Sequence, residues 1–288
     1  MTPGVQKSLC LAGEIMGVRR EAIAAEIANL KTLVQPDYDA DYHQLLKGKK
    51  VAIAGPAETM IGTGQGDLID SYDLVVRFNT VIRYLPFPDE LARDIGTRTD
   101  LLYANTEVVL DGIVDQRDVS HSKFAELCDQ LAMKYIISTN NDFTYKSSRH
   151  ARRCHADSET VKRFLRDQKI PTAFRMLFAT SHLARKWLSG YIARTGFLAI
   201  VDLLAYDISQ LYITGMTFYH RGGHLFLADR ASELHPLKNH RGQMPKDGVL
   251  GHNSYLELEL MRILAASLGE KLKLDERLQK LMEGRSGD

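Results

Sequence analysis

The chain has 288 residues, 44% hydrophobic and 25% charged, with 37 Lys+Arg against 36 Asp+Glu and a formal net charge of +1. Those proportions fit a globular chain with enough apolar material for a real core, and exclude intrinsic disorder, a collagen-like fibre and a disulfide-stapled miniprotein. Near-zero net charge argues against broad capture of nucleic acid, which needs a strongly basic face, but leaves room for a local anion pocket.

In chain order, Ile23, Ile27, Leu30 and Val34 recur at helical spacing among Glu and Lys, so an amphipathic helix is expected over about residues 14–34. Gln35-Pro36-Asp37 ends it. Lys49 to Gly55 reads as a buried strand running into a glycine turn, and further short apolar runs cover 73–78, 99–103, 134–137, 174–179 and 211–214. A helical stretch lies near 122–133. The polar stretch 140–158, with Lys146, Arg149, Arg152 and Arg153, reads as an active-site loop or a surface insertion. Strands alternating with helices imply an α/β fold, a Rossmann-like parallel sheet sandwiched by helices. No linker divides it. The expected organisation is a helical extension over 1–48, a catalytic-type domain over 49–275 and a tail over 276–288.

Cys10, Cys128 and Cys154 are odd in number and lack CxxC spacing, so zinc and a disulfide framework are both poor readings and reduced thiols fit better. Residues 1–13 lack the apolar run of a signal peptide, and no window approaches a membrane span. A cytoplasmic location is expected, with at most peripheral membrane contact. Lys271, Lys273, Arg277 and Lys280 are interleaved with Glu270, Asp275 and Glu276, which reads as a solvated helix face.

Val51-Ala52-Ile53-Ala54-Gly55, followed by Gly62, Gly64 and Gly66, has the shape of a strand entering a phosphate-type turn. The spacing is not GxGxxG and lacks the Gly-Lys-Ser/Thr of a P-loop, so turn-forming glycines are an equal reading and a dinucleotide oxidoreductase is disfavoured.

Read as one block, the segment is more specific. The strand into Gly55 is followed by Ile69-Asp70-Ser71-Tyr72-Asp73, Arg77-Phe78-Asn79 and Asp94-Ile95-Gly96-Thr97-Arg98-Thr99. Downstream come Arg194-Thr195-Gly196, an apolar helix to Tyr206, and Leu211 to Gly215. Next are His220 and His224-Leu225-Phe226, then His252 with Glu257 at H-x4-E spacing. This ordered set resembles the long, short and H-x4-E motifs of glycosyltransferase family 29, the eukaryotic-type sialyltransferases. It departs from them at Pro56, where Asn is common, and at Arg194, where the short motif has Ser. The cysteines that join the motifs in secretory-pathway members are absent.

The resemblance implies a GT-A-like variant fold and an inverting, metal-independent enzyme with no cofactor. Such an enzyme moves a 3-deoxy-2-ulosonic acid, sialic acid or Kdo, from its CMP-activated donor to a saccharide or glycolipid hydroxyl. A bacterial-type role in lipopolysaccharide or capsule synthesis follows, and a Kdo transferase is one form of it. His252 is the expected base, an imidazole at a helix N-terminus that stays neutral enough to take a proton. His224, with His220 competing, is expected on the leaving phosphate. Gly55, Asn79, Thr195, Gly196 and Gly215 are the expected donor contacts, with a plain N-cap as the alternative at Thr195. Arg77 is expected to pair with Asp94 or Asp100. Asp70 and Asp73 are expected to brace the turn, and Glu257 to be structural or to orient a neighbour. A nucleotide-binding module without activity and a Rossmann oxidoreductase are the alternative functions.

Overall fold

The computed structural model describes residues 17, 19–79, 87–105, 109, 121–139, 148–218, 220, 225 and 251–284. Seven strands form one sheet: β1 Lys50–Ala54, β2 Leu74–Phe78, β3 Leu101–Ala104, β4 Tyr135–Ser138, β5 Ala173–Met176, β6 Gln210–Thr214 and β7 Leu272–Leu274. Their order is β5-β4-β3-β2-β1-β6-β7, and every neighbouring pair is parallel. The fold is therefore α/β and Rossmann-like, as expected from the alternation of elements.

The strands read as near-continuous apolar runs because both faces are covered. Alternation sorts their side chains: Val51, Ile53, Val76, Leu101, Tyr103, Ile137, Leu211 and Ile213 enter one large core. Leu102, Ala104 and Ile136, and separately Ala52, Ala54, Val75 and Tyr212, pack into smaller cores. Helices in chain order are α1 (19–28), α2 Leu30–Leu33, α3 Ala40–Leu46, α4 Gly66–Asp70, α5 Asp89–Ile95, α6 His121–Gln130 and α7 Ser148–Asp167. They continue with α8 Ala179–Trp187, α9 Thr195–Leu204, α10 Ser254–Leu268 and α11 Glu276–Met282.

The N-terminal helices belong to the main core. Ile23, Ile27, Leu30 and Val34 are buried as their spacing predicts, and with Tyr42 and Leu46 they pack in the same cluster as the central strands. Asp37 fastens this segment. Its carboxylate accepts N–H bonds from Phe178 and Ala179 (both 2.9 Å) and Thr180 (2.7 Å), so it caps α8 from far along the chain. The apolar run expected to be strand through Ala179 accordingly stops at Met176.

Two other expectations change. The polar stretch 140–158 is helical from Ser148 onward. The C-terminal basic stretch is no single helix face: Lys271 ends a 3-10 turn, Lys273 lies in β7, and Arg277 and Lys280 lie on α11. Among the described residues, no helix is long and apolar enough to cross a membrane.

Chain progression runs outward from β1 to β5, then returns to place β6 on the other side of β1. The order therefore reverses between β1 and β6, and in open parallel sheets a crevice forms outside the strand ends at such a reversal.

Candidate active site

The reversal point is built from glycine. Gly55 directly follows β1 and Gly215 directly follows β6, and their backbones touch. A Cβ on Gly55 would sit 2.2 Å from the Gly215 carbonyl oxygen, and one on Gly215 would sit 2.5 Å from that of Gly55. Gly215 also has φ +66°, and its N–H donates to Asp275 at 3.0 Å. Met216 fills the space beside the pair: a Cβ on Gly55 would meet its Cγ at 2.7 Å, and one on Gly196 its Cε at 2.7 Å. Three of the expected donor contacts thus converge, and each has a packing reason to be glycine.

Beside them, the ends of β2, β3 and β4 meet the start of α9 in a polar cluster. Asn79 turns the chain at φ +44°, a left-handed conformation that Asn tolerates. Its Oδ1 accepts from the Asn105 N–H at 3.0 Å, and its Nδ2 lies 3.5 Å from Thr195 Oγ1. The hydroxyls of Thr139 and Thr195 lie 3.2 and 3.3 Å from Asn105 Oδ1 and 3.2 Å from each other. With hydroxyls on its oxygen, Asn105 has its Nδ2 as the group to offer an anion. Thr195 is the first residue of α9, while Arg194 holds the N-cap position without a side-chain cap bond. Thr195 is therefore no plain N-cap, because its hydroxyl serves the cluster.

Residues Ile192 to Arg194 lead from this cluster to the histidines. His252 Nδ1 lies 2.8 Å from the Ile192 carbonyl. A carbonyl only accepts, so Nδ1 carries the proton and Nε2 the basic lone pair. Burial pushes the imidazole below its ordinary range, and the Arg194 cation pushes it further; Glu257 and the Ile192 bond oppose them. The helix start contributes differently from expectation. Asn253 is the N-cap of α10, its Oδ1 accepting from Tyr255 (3.2 Å) and Leu256 (3.1 Å), so His252 precedes the cap. Burial is the largest of the effects that lower its pKa.

Glu257 is fully buried and does not meet His252 through the helix face. One carboxylate oxygen accepts the Arg194 N–H at 2.7 Å and the other accepts from its guanidinium at 2.5 Å. The departure at Arg194 thus supplies the cation that a buried carboxylate needs. His220 lies against the same helix: its Nε2 donates to the Ser254 carbonyl at 3.2 Å and its ring meets Tyr255 edge-on at 4.8 Å. Burial and the nearby Arg194 and Arg262 lower its pKa as well. His224 lies outside the described residues.

The acidic motif residues are scaffolding. Asp94 accepts from the N–H groups of Gly62 (2.6 Å) and Gly64 (2.7 Å), which holds its carboxyl below the usual range. The glycine turn that resembled a phosphate cradle is therefore filled by an internal carboxylate. Asp70 accepts from Thr97 and Arg98, bracing the turn at Gly96, while Asp73 accepts from the Lys50 N–H and braces the start of β1. Arg77 is fully buried, as a structural residue should be, but with other partners than expected. It donates to the carbonyls of Ile95 (2.5 Å) and Arg98 (3.0 Å) and stacks on Phe87, and burial pushes its pKa down to about 10. Asp100 is held instead by Arg98 and Lys134.

Asn105 and Thr139 are the residues that sequence reasoning missed. Their signal was positional: each lies two residues past a predicted strand and directly follows the observed one, where a parallel sheet places its ligand contacts. Cys128 is free and buried, its thiol pushed up to about 12 by burial. Among the described residues, no group of three or more His, Cys, Asp or Glu is placed to hold a metal ion.

The sheet thus carries glycines at its reversal point and amides at its strand ends, and comparison with known proteins gives the family. The family model for glycosyltransferase family 29 (sialyltransferase) matches residues 20–204. The chain belongs to that family. Among solved structures, it is similar to a mammalian sialyltransferase in complex with Gal-beta-1-3GalNAc-ortho-nitrophenol, at 17% identity and TM-score 0.47 over 88% of this chain and 78% of that one. It is also similar to the monofunctional alpha-2,3-sialyltransferase Cst-I from Campylobacter jejuni (13% identity, TM-score 0.49, 79% and 75% covered). The sialyltransferase CstII from the same organism, in complex with cytidine-5'-monophosphate, matches at 14% identity and TM-score 0.44, with 79% and 80% covered. No curated protein matches the sequence.

Proposed function

We propose that this chain is an inverting glycosyltransferase that moves a 3-deoxy-2-ulosonic acid from its CMP-activated donor to a saccharide or glycolipid hydroxyl. The observation that supports this most is the tautomer of His252, whose Nδ1–H is spent on the Ile192 carbonyl. A neutral ring so held presents Nε2 as base.

In the proposed step, the acceptor hydroxyl gives its proton to Nε2 as its oxygen attacks the anomeric carbon of the donor. The bond from that carbon to the phosphate oxygen breaks, and CMP leaves with the electron pair. Asn105, Asn79 and the Thr195 end of α9 bind the phosphate, where amide donors and a helix start favour an anion. Gly55, Gly196 and Gly215 let the nucleotide approach the backbone. His224 donates to the leaving phosphate; His220, the competing candidate, has the one N–H of its neutral ring on the Ser254 carbonyl.

A donor with one phosphate has little charge to neutralise, so the transfer is proposed to run without a metal ion or cofactor. A cytoplasmic role in building lipopolysaccharide or capsule suits this chemistry.

Hydrolysis of CMP-sialic acid and CMP-Kdo, followed side by side through CMP release, tests the reading. Release from either supports an ulosonate transferase and names its donor. Stabilisation by CMP without release from either, under any acceptor tried, would leave a nucleotide-binding module.

A further inference from the structure

Residues 191–194 lead into the polar cluster at Thr195, and four hydrogen bonds stitch them to the start of α10. The Ile192 N–H donates to the Gly251 carbonyl at 3.2 Å, His252 Nδ1 donates back to the Ile192 carbonyl at 2.8 Å, and Arg194 engages Glu257 through both its backbone and its guanidinium. Only the last contact is charged, and it is the most deeply buried: Glu257 has 0% and Arg194 14% of the side chain exposed. The next residue is Thr195, in the polar cluster.

We propose that Arg194 is a positioning residue for the transfer step: clamped by Glu257, it fixes the Ile192 carbonyl that orients the His252 ring. The inference rests on His252 being the base. A serine at 194 would keep the backbone bond to Glu257 and lose the cation, leaving half of a buried carboxylate without its charged partner.

The pair also bears on the ring through its charges. Among the described residues, those facing His252 are Arg194, from the segment before α9, and Glu257, from α10; the Ile192 carbonyl takes its Nδ1 proton. Arg194 disfavours the imidazolium and Glu257 favours it. Removing either one alone must therefore shift the ring's titration in opposite directions.

The test uses the full chain and two readings: NMR titration of the His252 imidazole, and kcat and donor KM for CMP release from CMP-sialic acid across pH. Arg194→Met should move the titration midpoint and the acid limb of the rate profile to higher pH. It should also cut kcat about tenfold at the plateau, with donor KM little changed. Glu257→Gln should move the midpoint to lower pH. Arg194→Lys, which keeps the cation but not the planar guanidinium, should hold the midpoint while losing part of kcat.

A fall in kcat with the midpoint unmoved marks mere loss of packing and overturns the proposal, as does a moved midpoint with kcat intact. Should Arg194→Met not fold, an unmoved midpoint in Glu257→Gln or a wild-type kcat in Arg194→Lys overturns it equally. His252→Ala at wild-type rate with both NMR shifts present would sink the base assignment alone. An inactive His252→Ala without the shifts would sink the role of Arg194 alone.

Discussion

Asn105 carries much of the donor-binding argument at the scale of single residues. Hydroxyls of Thr139 and Thr195 lie on its carbonyl side, 3.2 and 3.3 Å away, so its amide is the group left to donate to a phosphate oxygen in the proposed donor complex. Asn105→Ala should weaken CMP binding by ~1–3 kcal/mol, the range for a bond to a charged group, while thermal stability changes little. Calorimetric titration with CMP measures this, and an unchanged Kd would make Asn105 part of the scaffold. Asn79 is a less clean probe, since φ +44° makes its replacement a backbone change as well. His252, the proposed base, was visible in the sequence only through motif order. Its ring partner, a carbonyl 60 positions away, was not visible, because backbone acceptors leave no mark on residue identity. Arg77 shows the same limit: a structural role was expected, but its partners are carbonyls rather than carboxylates.

At the scale of elements, the strands were legible because apolar runs bounded by glycine and polar residues have a plain period. The short β7 was not: Leu272-Lys273-Leu274 is too brief to stand out among charges, and only its pairing with β6 makes it a strand. The start of α8 was read as the end of a strand, because its cap comes from Asp37 rather than from a neighbouring residue. Asp37→Ala strips three N–H groups of their acceptor. It should cost ~1–2 kcal/mol in urea unfolding, the range for losing an N-cap, or more where the freed groups stay dry. A change below a few tenths would mean that water replaces the carboxylate. The glycine turn at Gly62 and Gly64 is the reverse lesson: a sequence shaped like a phosphate cradle holds Asp94 instead. Composition shows a turn with available N–H groups, and only the fold decides what they bind.

For the whole molecule, the reversal of strand order between β1 and β6 places the touching Gly55–Gly215 pair where a ligand crevice belongs, and the imidazoles of His252 and His220 sit beside the start of α10. Keeping those imidazoles neutral has a cost in acid. His252 and His220 titrate below 6.5 when folded, whereas the unfolded chain returns them to about 6.5. The unfolded state therefore binds more protons below that pH, and stability must fall as pH drops through it. Asp94, depressed from 3.8, adds a further loss at lower pH, when its carboxylate protonates in the folded state. Melting temperature should decline between roughly pH 7.5 and 5, and His252→Asn should flatten part of the slope. A slope that survives replacement of both histidines would place the acid sensitivity elsewhere.

The most direct measurement compares CMP release from CMP-sialic acid by the wild-type chain and by His252→Ala, with CMP affinity determined on both. Loss of a positioned base predicts kcat lower by ~10²–10⁴ with CMP bound as tightly as before. Undiminished turnover in the variant would contradict the account at its centre.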